Sequence, residues 1–94
     1  MAKPLFHPGR ILMTPGAAEL MQKGRVKPSY ILARHLTGDW GDLKDEGDKR
    51  ANDRALKQPP LRILSSYELL PDESLWVITE WDRSVTTLLL PSEY

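Results

Sequence analysis

The densest group of chemically capable side chains is His35-Leu36-Thr37-Gly38-Asp39-Trp40-Gly41-Asp42. One imidazole and two carboxylates in one short stretch have the donor types of a divalent-metal site. His35, Asp39 and Asp42, joined by Glu80, would suit a small metal-dependent hydrolase or nuclease. The competing reading is structural. Asp39 and Asp42 beside glycines are also turn and capping residues. His35 falls on an apolar helix face, where an imidazole serves the core more often than a ligand. The only other histidine, His7, sits in an irregular arm, so imidazole ligands are scarce.

A second group lies in Thr79-Glu80-Trp81-Asp82-Arg83-Ser84-Val85-Thr86-Thr87. Glu80 and Asp82 are two apart and would share a strand face, where paired carboxylates raise each other's pKa. Arg83 beside them favours a salt-bridged hairpin instead. Ser84, Thr86 and Thr87 have no evident activating base, which weakens a nucleophile reading. Lys23, Arg25 and Lys27 form a basic knot between two predicted helices. With Arg34 they give a helix-turn-helix outline and a DNA-binding alternative. The second helix, however, offers mainly Tyr30, Arg34 and His35 to a groove, and a solvated turn is the simpler reading. Trp40, a large ring between glycines, is either an anchor for a partner or a lid over the core.

Composition narrows the field. The chain has no cysteine, which removes disulfides, Cys-containing zinc sites and thiol catalysis. It has no phosphate-loop, dinucleotide or zinc-finger signature, and no cofactor is expected. Net charge is zero, whereas strong non-specific nucleic-acid binders carry a basic excess. The charge is nonetheless segregated: residues 1–38 are net +5, residues 39–60 net −1 and residues 61–94 net −4. Basic helices pairing with an acidic sheet edge would explain this. So would a two-signed surface that orients a protein partner. No apolar run approaches the ~20 residues that span a bilayer, and the N-terminus lacks the apolar stretch of a signal peptide. A cytoplasmic protein without membrane contact is expected.

The elements that must position these residues are legible in outline. Ninety-four residues suit one domain. Residues 1–9, with Pro4, Pro8 and Gly9, read as an irregular arm. Arg10-Ile11-Leu12-Met13 reads as an edge strand. Thr14 caps a helix with Pro15 at its first position, and Gly24 stops it. A second helix starts at Pro28, pairs Ile31 with His35 and Leu32 with Leu36 on one face, and ends at Thr37-Gly38. From Asp45 to about Gln58 a charged surface helix is expected. Asp45/Lys49, Glu46/Arg50 and Asp53/Lys57 are its i,i+4 pairs, and Pro59-Pro60 closes it. From residue 60 to 91, β-branched and aromatic residues broken by turn chemistry predict an antiparallel meander. Leu70-Pro71-Asp72-Glu73 fits a type I turn, and a second turn lies near Asp82-Arg83-Ser84.

Two stretches carry a resemblance. Arg34-His35-Leu36-Thr37-Gly38-Asp39-Trp40-Gly41-Asp42-Leu43 and the run from Ile78 to Tyr94, with Asn52-Asp53-Arg54-Ala55-Leu56 between them, resemble a family of small uncharacterised bacterial proteins. These are labelled hypothetical or plasmid-related and are carried on mobile elements. The likeness runs from about Gly9 onward. Trp81 departs from it, standing where a smaller residue is expected before Asp82-Arg83-Ser84. The resemblance implies no activity and no site residue. It implies a context, in which small accessory proteins bind host machinery, for example to inhibit restriction or CRISPR defence.

The expected fold is α+β: two or three helices packed on one face of a small three- or four-stranded, mainly antiparallel sheet. The expected function is non-enzymatic binding to a protein or nucleoprotein partner. Asp39, Trp40, Trp81, Asp82 and Arg83 are the contact candidates if the Trp40 loop and the hairpin lie together.

Overall fold

A computed structural model describes residues 3–43, 46–57 and 61–94. Among the described residues there are four strands and three α-helices: β1 (Arg10–Met13), α1 (Pro15–Lys23), α2 (Pro28–Leu36), α3 (Glu46–Ala55), β2 (Ile63–Leu70), β3 (Glu73–Thr79) and β4 (Val85–Leu89). A short 3₁₀ turn, Pro91–Glu93, follows. The sheet order is β1-β4-β3-β2. The meander β2-β3-β4 is antiparallel, and β1 joins its outer side parallel to β4. The fold is therefore α+β, with helices on a small, mostly antiparallel sheet, as the sequence predicts. None of the helices described is long and apolar enough to cross a membrane.

The start of α1 follows its sequence chemistry. The Thr14 side chain accepts from the Ala17 N–H at 3.1 Å, and Pro15 occupies the first turn. Its end falls at Gly24 as expected, but the left-handed residue that closes it is the next one. Gly24 stands at the C-terminus with an ordinary helical φ of −78°, while Arg25 takes the left-handed conformation at φ 55°. The amide of Arg25 reaches the Gln22 carbonyl and that of Val26 the Met21 carbonyl, a paired closure that satisfies the last-turn carbonyls. The β2-β3 turn is also a correction. Asp72 has φ 61°, which belongs to a type II turn; a type I turn needs about −90° at that position.

The alternation along β3 divides the sheet into two faces. Leu75, Val77 and Thr79 point to the helices and are fully buried. With Leu88 and Tyr67, the aliphatic pair packs against Ala17, Leu20 and Met21 of α1 and Ile31 of α2. Burying each such aliphatic chain is worth about 1.5–3 kcal/mol. A second cluster joins Trp40, Leu43, Ala55 and Ile63, with Phe6, Leu56 and Leu64 packed against it. On the opposite face, Trp76 meets Tyr94 edge-on at 5.8 Å, and Arg62 lies over the Tyr94 ring.

The two edges of the sheet are treated differently. Along β2, Asn52 of α3 donates to the Leu64 carbonyl and accepts from the Leu64 N–H. Ser66 donates to the Trp40 carbonyl and accepts from the Asp42 N–H, and Gly41 bridges Ser66 in parallel. The Asp42 carboxylate accepts from the Glu68 N–H at 2.9 Å. Alternate residues of this edge are thus satisfied by the loop after α2 and by one amide side chain. That is the cover an edge strand needs. Asp53, predicted to pair with Lys57, instead accepts from the Trp40 indole at 3.2 Å, because α3 ends at Ala55 and leaves Lys57 off the helix. The predicted Asp45/Lys49 pair and the closing Pro59-Pro60 lie outside the described residues. So does the Glu46 side chain of the Glu46/Arg50 pair.

Candidate binding surface

His35 is fully buried, and both of its ring nitrogens are occupied. Nδ1 lies 2.6 Å from Ser65 Oγ and Nε2 lies 2.9 Å from Thr79 Oγ1. Thr79 Oγ1 is 2.7 Å from Thr86 Oγ1, and Thr86 donates to the Pro8 carbonyl at 2.7 Å. A carbonyl can only accept, so this end fixes the donors as far as the ring: Thr86 donates to Pro8, Thr79 to Thr86, and His35 Nε2–H to Thr79. The imidazole is therefore protonated on Nε2. Burial, followed by the positive charge of Arg83, pushes the His35 pKa down to about 3, so at neutral pH Nδ1 is unprotonated and accepts from Ser65. Nitrogen-15 NMR at neutral pH should show one Nε2–H tautomer for this ring. The opposite tautomer, or rapid averaging of both, would contradict the directional chain.

The Ser65–His35 contact has the spacing of a nucleophile and its base. Both residues are fully buried within the core, and the ring's basicity is suppressed, so the pair serves the interior. The metal reading of His35, Asp39 and Asp42 is corrected by the same geometry. His35 turns into the sheet, Asp39 pairs with Arg34, and Asp42 caps Glu68. Among the described residues no group of three His, Cys, Asp or Glu is placed to hold a metal ion. Among those residues, too, no buried side-chain polar atom lacks a partner.

The loop after α2 and the β3-β4 hairpin do converge, through a residue that sequence reasoning passed over. Phe6 of the N-terminal arm meets His35 edge-on at 5.3 Å, and His35 meets Trp40 at 6.0 Å. The Arg83 guanidinium lies over the Phe6 ring at 5.4 Å. Leu5 fastens the arm by donating to the Leu36 carbonyl. One ring stack thus joins the two motif stretches.

Within this cluster the five predicted contact residues have different fates. Trp40 is 8% exposed and belongs to the core, which corrects its assignment as a partner anchor. Asp39 organises the loop. Its carboxylate takes two hydrogen bonds from Arg34, at 2.7 and 3.2 Å, and one from the Gly41 N–H. Its carbonyl accepts from the buried Tyr67 hydroxyl at 2.6 Å. The Arg34 bond holds the Asp39 carboxyl below its usual range. Arg83 makes no pair with Glu80 or Asp82. Its fork donates to the Leu61 carbonyl at 2.6 Å and to the Ala55 carbonyl at 2.9 Å, with longer bonds to the Glu80 and Trp81 carbonyls. A cation at the Ala55 end also complements the α3 dipole. Asp82 accepts from the hydroxyl and the amide of Ser84, which lower its pKa; the raised value expected of a carboxylate pair is not found.

Trp81 remains. It is 62% exposed at the hairpin tip, and Leu61, 43% exposed, is tied to the same Arg83 fork. The backbone beneath this tip is fixed by Asp82–Ser84, by Arg83, and by the Glu80–Val85 and Arg83–Glu80 amide bonds. The geometry therefore presents an indole on a rigid mount.

The basic set is dispersed. Arg34 is engaged by Asp39 and stacks on Tyr67 at 4.6 Å, and Lys23 lies 3.4 Å from Glu19. Of the four, only the Arg25 and Lys27 side chains have no partner among the described residues. The face of α2 bearing Ile31 and His35 is turned into the core. These placements leave the helix-turn-helix outline without a recognition face of the expected kind.

Compared with protein-family models, with curated proteins and with solved structures, the chain matches none.

Proposed function

We propose that the protein is a non-enzymatic binding module that recognises a protein or nucleoprotein through its β3-β4 hairpin tip. The observation that carries this reading is Trp81, a large ring 62% exposed on a turn that the Arg83 and Asp82 hydrogen bonds hold in place. Tryptophan is enriched among the few residues that dominate binding energy, and a fixed backbone lowers the entropy cost of using it. Leu61 supplies adjacent apolar area, and Asp82 and Glu80 supply a polar rim. The interior points the same way: its imidazole and hydroxyls are spent on one another. The family resemblance nominates bacterial host machinery, such as a restriction or CRISPR assembly, as the class of partner.

The test is capture from a bacterial lysate on the immobilised chain, with nucleic acid digested in a parallel sample. Trp81→Ala should sharply reduce capture while the melting temperature falls by no more than about 2–4 °C, since exposed substitutions cost less than ~0.5 kcal/mol. Capture that is undiminished in Trp81→Ala, or is lost together with the fold, rejects the hairpin tip as the site.

A further inference from the structure

We propose that two copies of the chain join edge to edge through β1, antiparallel and about a two-fold axis at Leu12, to make one continuous sheet. The first argument is the contrast between the edges. The β2 edge is covered by Asn52, Trp40, Gly41 and Asp42. Among the described residues the β1 edge has no such cover. The amides of Arg10 and Thr14 donate to the carbonyls of Ser84 and Leu88, at 2.9 and 3.0 Å. This parity turns even-numbered residues toward β4 and points the backbone N–H and C=O of Ile11 and Met13 outward. Native edges are blunted by shortness, by charged side chains or Pro, by a bulge or by a covering element. β1 is short and has Arg10 at one end, but Ile11, Leu12 and Met13 carry no charge, Pro or bulge and are 44, 44 and 45% exposed.

The second argument is register. In an antiparallel pair, residues with outward backbone groups must face one another. An axis at Leu12 sets Ile11 against Met13 of the second copy, twice, and satisfies all the outward groups of both strands. Leu12 then meets its own counterpart. Axes at Ile11 or Met13 leave part of each edge unpaired.

The third argument is charge, and it selects a second copy over an unrelated strand. The Leu12-centred register sets Arg10 opposite Thr14 of the other molecule. The Thr14 hydroxyl holds the Glu93 carboxylate at 2.7 Å. The Arg10 side chain has no hydrogen-bond or ion partner among the described residues, and Glu93 is exposed. Each end of the shared ladder therefore brings an unpaired cation toward a fixed anion, and the two-fold repeats the match. The segregation of positive charge before residue 38 and negative charge after residue 61 acquires a use. Four-residue strands bury little area, below the roughly 1,200 Å² of stable complexes, so the dimer is a weak one.

Sedimentation velocity of the full chain from about 5 to about 500 µM tests this. A concentration-dependent monomer–dimer equilibrium is expected. Arg10→Glu sets like charges opposite one another and should raise the dissociation constant at least about tenfold at low salt, with less effect at high salt. Ile11→Pro removes an outward amide and should also weaken the dimer, circular dichroism confirming the fold. If Ile11→Pro fails to fold, Arg10→Glu decides alone. A wild-type chain that stays monomeric throughout overturns the proposal and leaves the edge to a strand of another protein. A dimer whose affinity is unmoved by Arg10→Glu overturns it too.

Discussion

Lowering the pH from about 7.5 to about 5 should cost the fold about 2 kcal/mol, read as a fall in the urea midpoint at unchanged slope. The cause is His35. Its folded pKa is pushed down to about 3, against an ordinary value of 6.5. Above about pH 6.5 both states hold a neutral ring and the full stability is present. As the pH falls below that value, the unfolded chain takes up a proton that the native chain refuses. Stability therefore declines continuously toward about pH 3. Asp39, Asp82 and Glu93 have lowered pKa values, so their stabilisation is lost only nearer their unfolded pKa values of about 4. His35→Gln should be less stable overall and should lose the His35 share of this slope, about 2 kcal/mol between about pH 7.5 and about pH 5. A wild-type chain without the slope, or a slope undiminished in His35→Gln, would contradict a neutral ring locked between Ser65 and Thr79.

Gly41→Ala should cost about 3 kcal/mol or more and lower the melting temperature by at least ~12 °C. Gly41 has φ 77°, where an L side chain is strained. A Cβ there would collide with the Ser66 carbonyl oxygen and press on the Tyr67 ring. The same residue forms the parallel bridge that aligns Trp40 and Asp42 along β2. Losing that bridge opens the protected edge and lifts Trp40 from the second core cluster. Light scattering during the melt should rise early, because an uncovered edge invites pairing between chains. Gly24→Ala is the control. Gly24 has an ordinary helical φ, and an alanine methyl there would sit 3.4 Å from its nearest neighbours, an ordinary contact. A loss of only a few tenths of a kcal/mol in Gly41→Ala would show that the loop does not set the edge.

The sheet and the helices are legible in the sequence because their signals are local. Alternation in Leu75–Thr79, the Thr14-Pro15 start and the Pro28 start all operate within a few residues, and all three elements form there. The site is only partly legible, because it is built from distant pairs. Nothing near Asn52 in the chain marks it as the partner of Leu64. Nothing near Phe6 announces that it joins His35 to Arg83. Residue type misleads at Trp40 and Arg83. A ring between glycines reads as an anchor or as a lid, and only the contacts with Asp53 and Leu43 make it part of the core. An arginine between acids reads as an ion-pair donor until the carbonyls of Ala55, Leu61, Glu80 and Trp81 converge on it. Trp81 stands out in the sequence only with the rest of the hairpin. Its exposure separates from that of Trp40 through the turn geometry that Arg83 and Asp82 impose.

The binding isotherm of the captured partner on wild-type and Trp81→Ala chains tests the central account most directly. Truncating a dominant contact costs about 2 kcal/mol or more, so affinity should fall roughly thirtyfold while the two chains melt alike. Equal affinities would show that recognition lies elsewhere on the molecule.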